Sequence, residues 1–497
     1  MNPESGMPKF SWIGYPFMGI LILFFSCAEK STLPPNLPAE MLQASFNTFK
    51  EPSITHRRFK HADLVPLVKN RGGNFEVEIL GKSVQGREIY QITYGSGTVK
   101  VLLWSQMHGN ESTATMALFD LFNFLEGGQD PYDSIRSIIK EKLTLHFIPM
   151  VNPDGAEVFQ RRNSWAIDIN RDAIAQISPE AQVLKEARED LQPHFGFNLH
   201  DQQIYYNTSG TAMPATISVL APAYNQETQV NEIRAKSMKV IAGMNRLMQE
   251  LIPGQVAKYE DAFEPRAFGD NFQKWGTSTI LIESGGYPGD TEKQYIRQLN
   301  FMVILNALYE IAGGNYENYS LEEYFDIPDN DSKLMDILIN NVSIEEDDHN
   351  YTVDLGIMRR EAETDSGYYV RGTIEDIGDL SVFYGYEEIN TEGLQFKKGN
   401  IWKGTFGSLA DLSEEKAIEL LRQGYSAVKV TEVESRELHN LPIAVIKDEK
   451  KFKSGHEIGN LAHFFLEKDG VLLYAVVNGY LIDLQNPSYK NLKQTVY

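Results

Sequence analysis

Val99-Lys100-Val101-Leu102-Leu103-Trp104-Ser105-Gln106-Met107-His108-Gly109-Asn110-Glu111-Ser112-Thr113 is the stretch whose reading decides the fold. Its first eight residues form an apolar run of strand length. Gly109 favours a turn over a helix, so His108 and Glu111 are expected on a loop. A helix should follow over about 114–126, with Ser112 or Thr113 as candidate cap. The same layout recurs three times. Residues 143–149 are a strand delivering Asn152-Pro153-Asp154-Gly155, 195–199 a strand delivering His200, and 279–282 a strand delivering Glu283 ahead of Ser284-Gly285-Gly286. Helical stretches are expected between them, at 179–191 after Ser178 and from about 230 to 251, where Pro253-Gly254 stops the pattern. Strands alternating with helices predict an α/β fold: a mostly parallel or mixed twisted sheet covered by helices on both faces. Sites in such sheets form in the crevice beyond the carboxyl ends of the strands. Every candidate site residue named above falls at such an end.

Two histidines and one carboxylate, His108, Glu111 and His200, would leave a coordination position open on zinc, as catalytic rather than structural sites do. Glu283 adds a free carboxylate suited to activating water. Each piece alone has an ordinary reading. A His-x-x-Glu pair arises by chance in a chain of 497 residues, His200 could be a hydrogen-bonded strand-end histidine, and Glu283 a solvated turn residue. The ordered set carries the argument. No His-Glu-x-x-His is present, which sets aside the thermolysin-type arrangement.

Six segments then stand in one order: Gly81-Lys82-Ser83-Val84-Gln85-Gly86-Arg87, His108-Gly109-Asn110-Glu111, Asn152-Pro153-Asp154-Gly155, Asp168-Ile169-Asn170-Arg171-Asp172, Asn198-Leu199-His200 and Ile282-Glu283. Together they resemble the zinc carboxypeptidase superfamily, the carboxypeptidase A-like metallopeptidases, over roughly residues 55 to 312. The resemblance implies one zinc ion per chain, held by His108, Glu111 and His200, with Glu283 as general base. It further implies that Asn170 and Arg171 grip the free C-terminal carboxylate of a peptide, a planar anion suited to a guanidinium fork. For the oxyanion-stabilising arginine Arg161 fits the family's register, with Arg162 its immediate competitor. Tyr259 lies where the family carries a mobile tyrosine, although the text around it departs from the family pattern and a structural tyrosine is the alternative. Asp270 falls in the stretch expected to line the specificity pocket; the alternative is a loop carboxylate bonded to backbone.

The activity implied is that of a zinc-dependent exopeptidase cleaving the C-terminal amide bond of peptides. A cell-wall peptide or an N-acyl amino acid is the alternative substrate on the same fold. A non-catalytic envelope binding protein is the alternative of another class, against which retention of Glu283 speaks.

The remaining sequence concerns placement. Lys9 precedes an apolar run over about 12–25, read as a secretory signal covering 1–26. The small residue before Cys27 resembles a bacterial lipobox, which makes Cys27, the sole cysteine, a lipid attachment point. Residues 27–40 read as a tether, 41–314 as the catalytic domain, 315–333 as an acidic linker and 334–497 as a β-rich accessory domain whose partner the sequence does not name. The expected location is the cell envelope, membrane-anchored and facing the periplasm or exterior. A net charge of -22 argues against nucleic-acid partners. Full-length protein is expected to partition with membranes, and Cys27→Ser to accumulate as unprocessed precursor on immunoblots of fractionated cells; soluble, fully processed Cys27→Ser would show an ordinary cleavable signal instead.

Overall fold

The computed structural model describes residues 36–364, 367–489 and 492–497; the signal segment, Cys27 and most of the expected tether lie outside them. The first half contains α1 (Ala39–Phe49), α2 (His61–Lys69), β1 (Phe75–Lys82), β2 (Glu88–Gly95), β3 (Val99–Ser105), α3 (Thr113–Glu126), α4 (Asp133–Lys142) and β4 (Leu143–Ile148). Then come α5 (Pro153–Glu157), α6 (Pro179–Leu191), β5 (Phe195–Asp201), β6 (Asn207–Thr208), β7 (Ile217–Leu220), α7 (Glu232–Leu251), β8 (Val256–Lys258), α8 (Phe268–Lys274), β9 (Ser278–Ser284), α9 (Gln294–Gly313) and α10 (Leu321–Phe325). Eight strands make one mixed sheet in the order β1-β2-β4-β3-β5-β9-β7-β8. Its centre, β4, β3, β5 and β9, is parallel, while β1 and β2 run antiparallel to their neighbours and β7 pairs antiparallel with β9 but parallel with β8.

Alternation along β3 shows why both faces are covered. Val101 and Leu103 join the large core beneath α1, α3, α7 and α9, whereas Leu102 and Trp104 join a second core beneath α6 and α8. Side chains buried on both sides explain the continuous apolar run in the sequence. Inside the larger core Arg297 and Asp120 are fully buried and bonded bidentately, at 2.7 and 2.5 Å. The remaining guanidinium hydrogens go to the carbonyls of Ile54 and Glu51 and to Gln294 Oε1.

Several local expectations are corrected. Ser112 occupies the N-cap position of α3 as expected, but its side chain makes no capping bond: Ser112 Oγ donates to the Arg57 carbonyl, and Thr113, the first helical residue, donates Oγ1 to Asp201. Helix α7 starts at Glu232, because Asn231 accepts from the Arg234 amide as its cap. His200 and Glu283 sit inside β5 and β9 rather than after them. The end of the expected tether is packed: Leu37 is buried and α1 already begins at Ala39. Residues 315–333 are structured rather than a free linker. They form a 3-10 turn, α10 with a Ser320–Glu323 capping box, and a short strand. Their acidity serves ion pairs to α7, Glu317 with Lys239 and Glu323 with Arg246, while Tyr319, Tyr324 and Ile327 are buried.

The second half is β-rich. After β10 (Asn330–Asp331) come β11 (Leu334–Glu346), β12 (His349–Thr364), β13 (Gly367–Gly378) and β14 (Tyr384–Asn390), which join Gln395–Lys398, Phe464–Lys468, Val471–Val477 and Tyr480–Asp483 in a second eight-stranded sheet. One helix, Glu414–Arg422, is capped by Ser413 as its sequence suggests. β10 pairs with β6, which ties this half to the segment just beyond β5. Among the described residues no helix is long and apolar enough to cross a membrane.

Removing one partner of the Asp120–Arg297 pair strands a buried charge. Asp120→Ala should therefore cost about 3–5 kcal/mol of unfolding free energy, measured by urea denaturation.

Candidate metal centre and substrate cleft

Parallel register brings the site together. Ser105 pairs with Leu199, and His200 pairs with Glu283, so β3, β5 and β9 end side by side. The His108–Glu111 loop then folds over the ends of these strands. It docks on the Asn152–Gly155 turn so closely that a Cβ at Gly109 would overlap the backbone of Gly155 and Ala156. Asn152 holds that turn by accepting from the Gly155 amide at 2.8 Å and donating to the Arg161 carbonyl at 3.3 Å. Asp154 accepts from Ser83 Oγ, the Gln85 amide and Arg87 Nη1 at 2.7, 2.9 and 2.7 Å. The Gly81–Arg87 and Asn152–Gly155 motifs are thus two halves of one brace beneath the loop.

His108 Nδ1 lies 2.7 Å from Glu111 Oε1, and His200 Nδ1 lies 2.7 Å from Glu111 Oε2 and 3.2 Å from His108 Nδ1. All three residues are buried, and their ligand atoms lie within 4.8 Å of one another. The donor set fits zinc. Two imidazole nitrogens 3.2 Å apart match an edge of a tetrahedron whose metal–nitrogen arms are roughly 2.0–2.1 Å. His108 Nε2 donates to Asp168 Oδ1 at 3.0 Å, which leaves the Nδ1 lone pair facing the other donors, the usual support for a metal-binding histidine.

Electrostatics separate the two glutamates. Burial opposes ionisation of Glu111, but the flanking His108 and His200 outweigh it and hold its carboxyl well below the usual range. Burial drives Glu283 the other way, reinforced by the charges of Glu111 and Asp201, and raises it well above that range. Asp168 is lowered: burial is outweighed by its hydrogen bond to His108 and by Arg161. Behind the site Lys293 Nζ bonds Asp201 at 3.0 Å and the Ser284 carbonyl at 2.9 Å, and the Asp201 amide donates to Glu111 Oε2.

One cavity of about 1330 Å³ holds every site residue expected within the described chain. Arg161 bonds Glu111 Oε1 and His108 Nδ1 at 3.1 Å and Asp168 at 3.0 Å. Arg162 instead points to the Ala166 carbonyl and does not line the cavity. The structure thus separates the two candidates by position. Asn170 accepts from the Phe268 amide, leaving its Nδ2 hydrogens free of that bond, and Arg171 Nε lies 3.2 Å from Glu264. Tyr259 stands near Tyr206 and the charge of Glu283; burial chiefly raises its hydroxyl. Asp270 Oδ1 accepts from the Glu264 amide, and burial pushes its carboxyl up to about 7. It is a backbone-bonded carboxylate in the first turn of α8 that also faces the cleft. Cys27 lies outside the described residues.

The sequence reading missed Asp168, although it stands in a quoted motif one residue before Ile169-Asn170, and it missed Asp201 directly after His200. Lys293 and the cleft residues of the second half, such as Arg359 and Glu387, carry no local signal at all.

A two-histidine, one-glutamate donor set thus stands at the carboxyl edge of a mixed α/β sheet, with a separate buried glutamate alongside, which defines a candidate metal centre. Residues 63–229 match the model of the zinc carboxypeptidase family. That stretch contains His108, Glu111, Asn170, Arg171 and His200 but ends before Glu283. An uncharacterized protein of Zymomonas mobilis is 28% identical over 29% of this chain and 38% of its own length. Carboxypeptidase 2 of Trichophyton tonsurans is 25% identical over 32% of this chain and 27% of the relative. The chain therefore spans well under half the length of the curated relatives it matches. A metallo-carboxypeptidase structure from Burkholderia cenocepacia has a TM-score of 0.41 at 18% identity, covering 51% of this chain and 68% of that one.

Loss of a supporting carboxylate weakens metal sites typically 10–100-fold. Asp168→Asn should accordingly lower zinc affinity by about that factor while the fold survives, and His200→Ala should lose stoichiometric zinc altogether. Elemental analysis after dialysis, with circular dichroism as the fold control, checks both.

Proposed function

We propose that the protein is a zinc-dependent carboxypeptidase that removes C-terminal residues from peptides in the cell envelope, to which Cys27 anchors it through lipid. The observation that carries the reading is the convergence, in one cavity, of the His108–Glu111–His200 donor set, the buried Glu283 and the Asn170–Arg171 pair. The match to the zinc carboxypeptidase model supports it.

His108, Glu111 and His200 would hold the zinc, which when bound acts as a Lewis acid toward the scissile carbonyl and acidifies a water molecule. Glu283 is the general base. Its raised pKa makes it a competent proton acceptor that can also return the proton to the leaving amine, as a single group must in amide hydrolysis. Arg161, held by Asp168, places a guanidinium beside the donor set, where negative charge develops on the substrate oxygen. Asn170 Nδ2 and Arg171 receive the terminal carboxylate, Arg171 exchanging its partly exposed Glu264 partner for it. Tyr259 closes the cleft beside Glu283. The carboxylate fixes which bond meets the water, so cleavage is terminal.

Glu283→Gln should keep zinc and fold but lose most turnover, about 100-fold or more, since an amide cannot accept the proton. Arg171→Ala should cost about 2–5 kcal/mol in kcat/KM on peptides with a free C-terminus and almost nothing on C-terminal amides. Mass spectrometry of paired free and amidated peptide libraries, with and without chelator, reads both variants. Equal wild-type cleavage of the two libraries would sink the exopeptidase reading, and a strict requirement for a D-residue or diaminopimelate link would redirect it to cell-wall peptide.

A further inference from the structure

The second, β-rich half forms part of the cleft wall. Asp336, Arg359, Arg360, Tyr386, Glu387 and Tyr480 line the same cavity as the metal donors. This wall is keyed to the loop that follows His200. Tyr205 Oη donates to Asp336 at 2.8 Å and lies 3.0 Å from the Arg359 carbonyl, the Leu334 amide donates to the Tyr205 carbonyl at 3.2 Å, and Tyr386 Oη donates to the Ile204 carbonyl. A second clasp joins Arg57 and Arg58, ahead of the main sheet, to Glu361 on β12, with Arg58 stacked between Phe159 and Tyr368 at 4.0 Å from each ring. Arg171 and Asp270 belong to the other flank, fixed through Glu264.

The wall's charges are nearly all spent. Asp336 is paired with Arg359 at 3.0 Å, and Arg359 also lies 4.2 Å over the Tyr480 ring. Arg360 is paired with Glu375 at 2.5 Å, and Glu361 with the two arginines. Glu387 is the exception: among the described residues its carboxylate makes no hydrogen bond and no ion pair. Its neighbour Glu388, on the opposite face of β14, accepts from the Gly385 amide instead. Burial raises the Glu387 carboxyl, partly offset by Arg359. Glu387 is exposed on the cavity wall, so its unpaired carboxylate is open to a cationic group of a ligand, and the cavity is large against the roughly 300–1,000 Å³ of small-molecule pockets, leaving room for a short peptide.

We infer that Glu387 binds a primary ammonium group on the acyl side of the scissile bond, so that the cleft reads a carboxylate at one flank and an amine at the other. The inference rests on the carboxypeptidase reading for the direction of the substrate. The amine is either the α-amino group of a short peptide or a lysine-type side chain, and the test separates these sources.

The test uses the zinc-loaded full chain carrying Glu283→Gln, which binds without turning over, and titrates it calorimetrically with Ala-Ala-Phe, N-acetyl-Ala-Ala-Phe and N-acetyl-Lys-Ala-Phe. At least one amine-bearing peptide should bind about fivefold or more tightly than the neutral acetyl peptide, as a partly shielded ion pair allows. Which one does so identifies the source. Adding Glu387→Gln should remove that preference and leave the Kd of the acetyl-Ala peptide unchanged. Equal affinity for all three peptides, binding of none, or a preference that survives Glu387→Gln overturns the inference. Wild-type protein that binds with this preference yet releases no phenylalanine counts against the carboxypeptidase reading alone.

Discussion

The register of three parallel strands is the constraint on which the rest depends. Because β3, β5 and β9 pair in parallel, with Ser105 beside Leu199 and His200 beside Glu283, their carboxyl ends arrive at one place without long loops. A slip of one residue would turn His200 or Glu283 to the opposite face of the sheet. The two cores that grip the central strands on both faces oppose that slip, since Leu102 and Trp104 fill one and Val101 and Leu103 the other. The chemistry of the site is thereby anchored in packing far from it.

Upon this register sits a crowded set of carboxylates. Glu111, Asp168, Asp201 and Glu283 all lie in or against the donor set, and burial penalises each of them. Three are compensated directly: Glu111 by two histidines, Asp168 by His108 and Arg161, Asp201 by Lys293 and Thr113. Glu283 has the more distant charges of Arg161 and Lys293 in its favour, so among the described residues it alone of these four is raised without a bonded partner. Unequal compensation separates a ligand from a base, although the two side chains are chemically the same.

The second half of the chain bears on the same cleft. Tyr205 and Ile204 connect the strand that carries His200 to Asp336, Arg359 and Tyr386. Movement of that sheet would therefore displace the loop adjoining a metal donor. This coupling gives the β-rich half a part in shaping what reaches the donor set.

Sequence alone determined the local pieces. Strand runs such as 99–105, the turn forced by Gly109, the Ser178 and Ser413 caps and the six ordered motifs are all decided by neighbouring residues, whose periodicity and turn chemistry act over a few positions. The donor residues were legible because each follows or ends an apolar strand. Tertiary structure decided what depends on distant partners. It set Arg161 against the donors and Arg162 against Ala166, bonded Asp270 to backbone, and drew Thr113 away from capping to Asp201. It folded 315–333 against α7 through Glu317 and Glu323, where acidity had read as a linker. It also brought Lys293, Arg359 and Glu387 to a cleft formed by residues up to some hundreds of positions away. Burial and charge pairing are properties of the packed chain, and no window of sequence contains both members of such a pair.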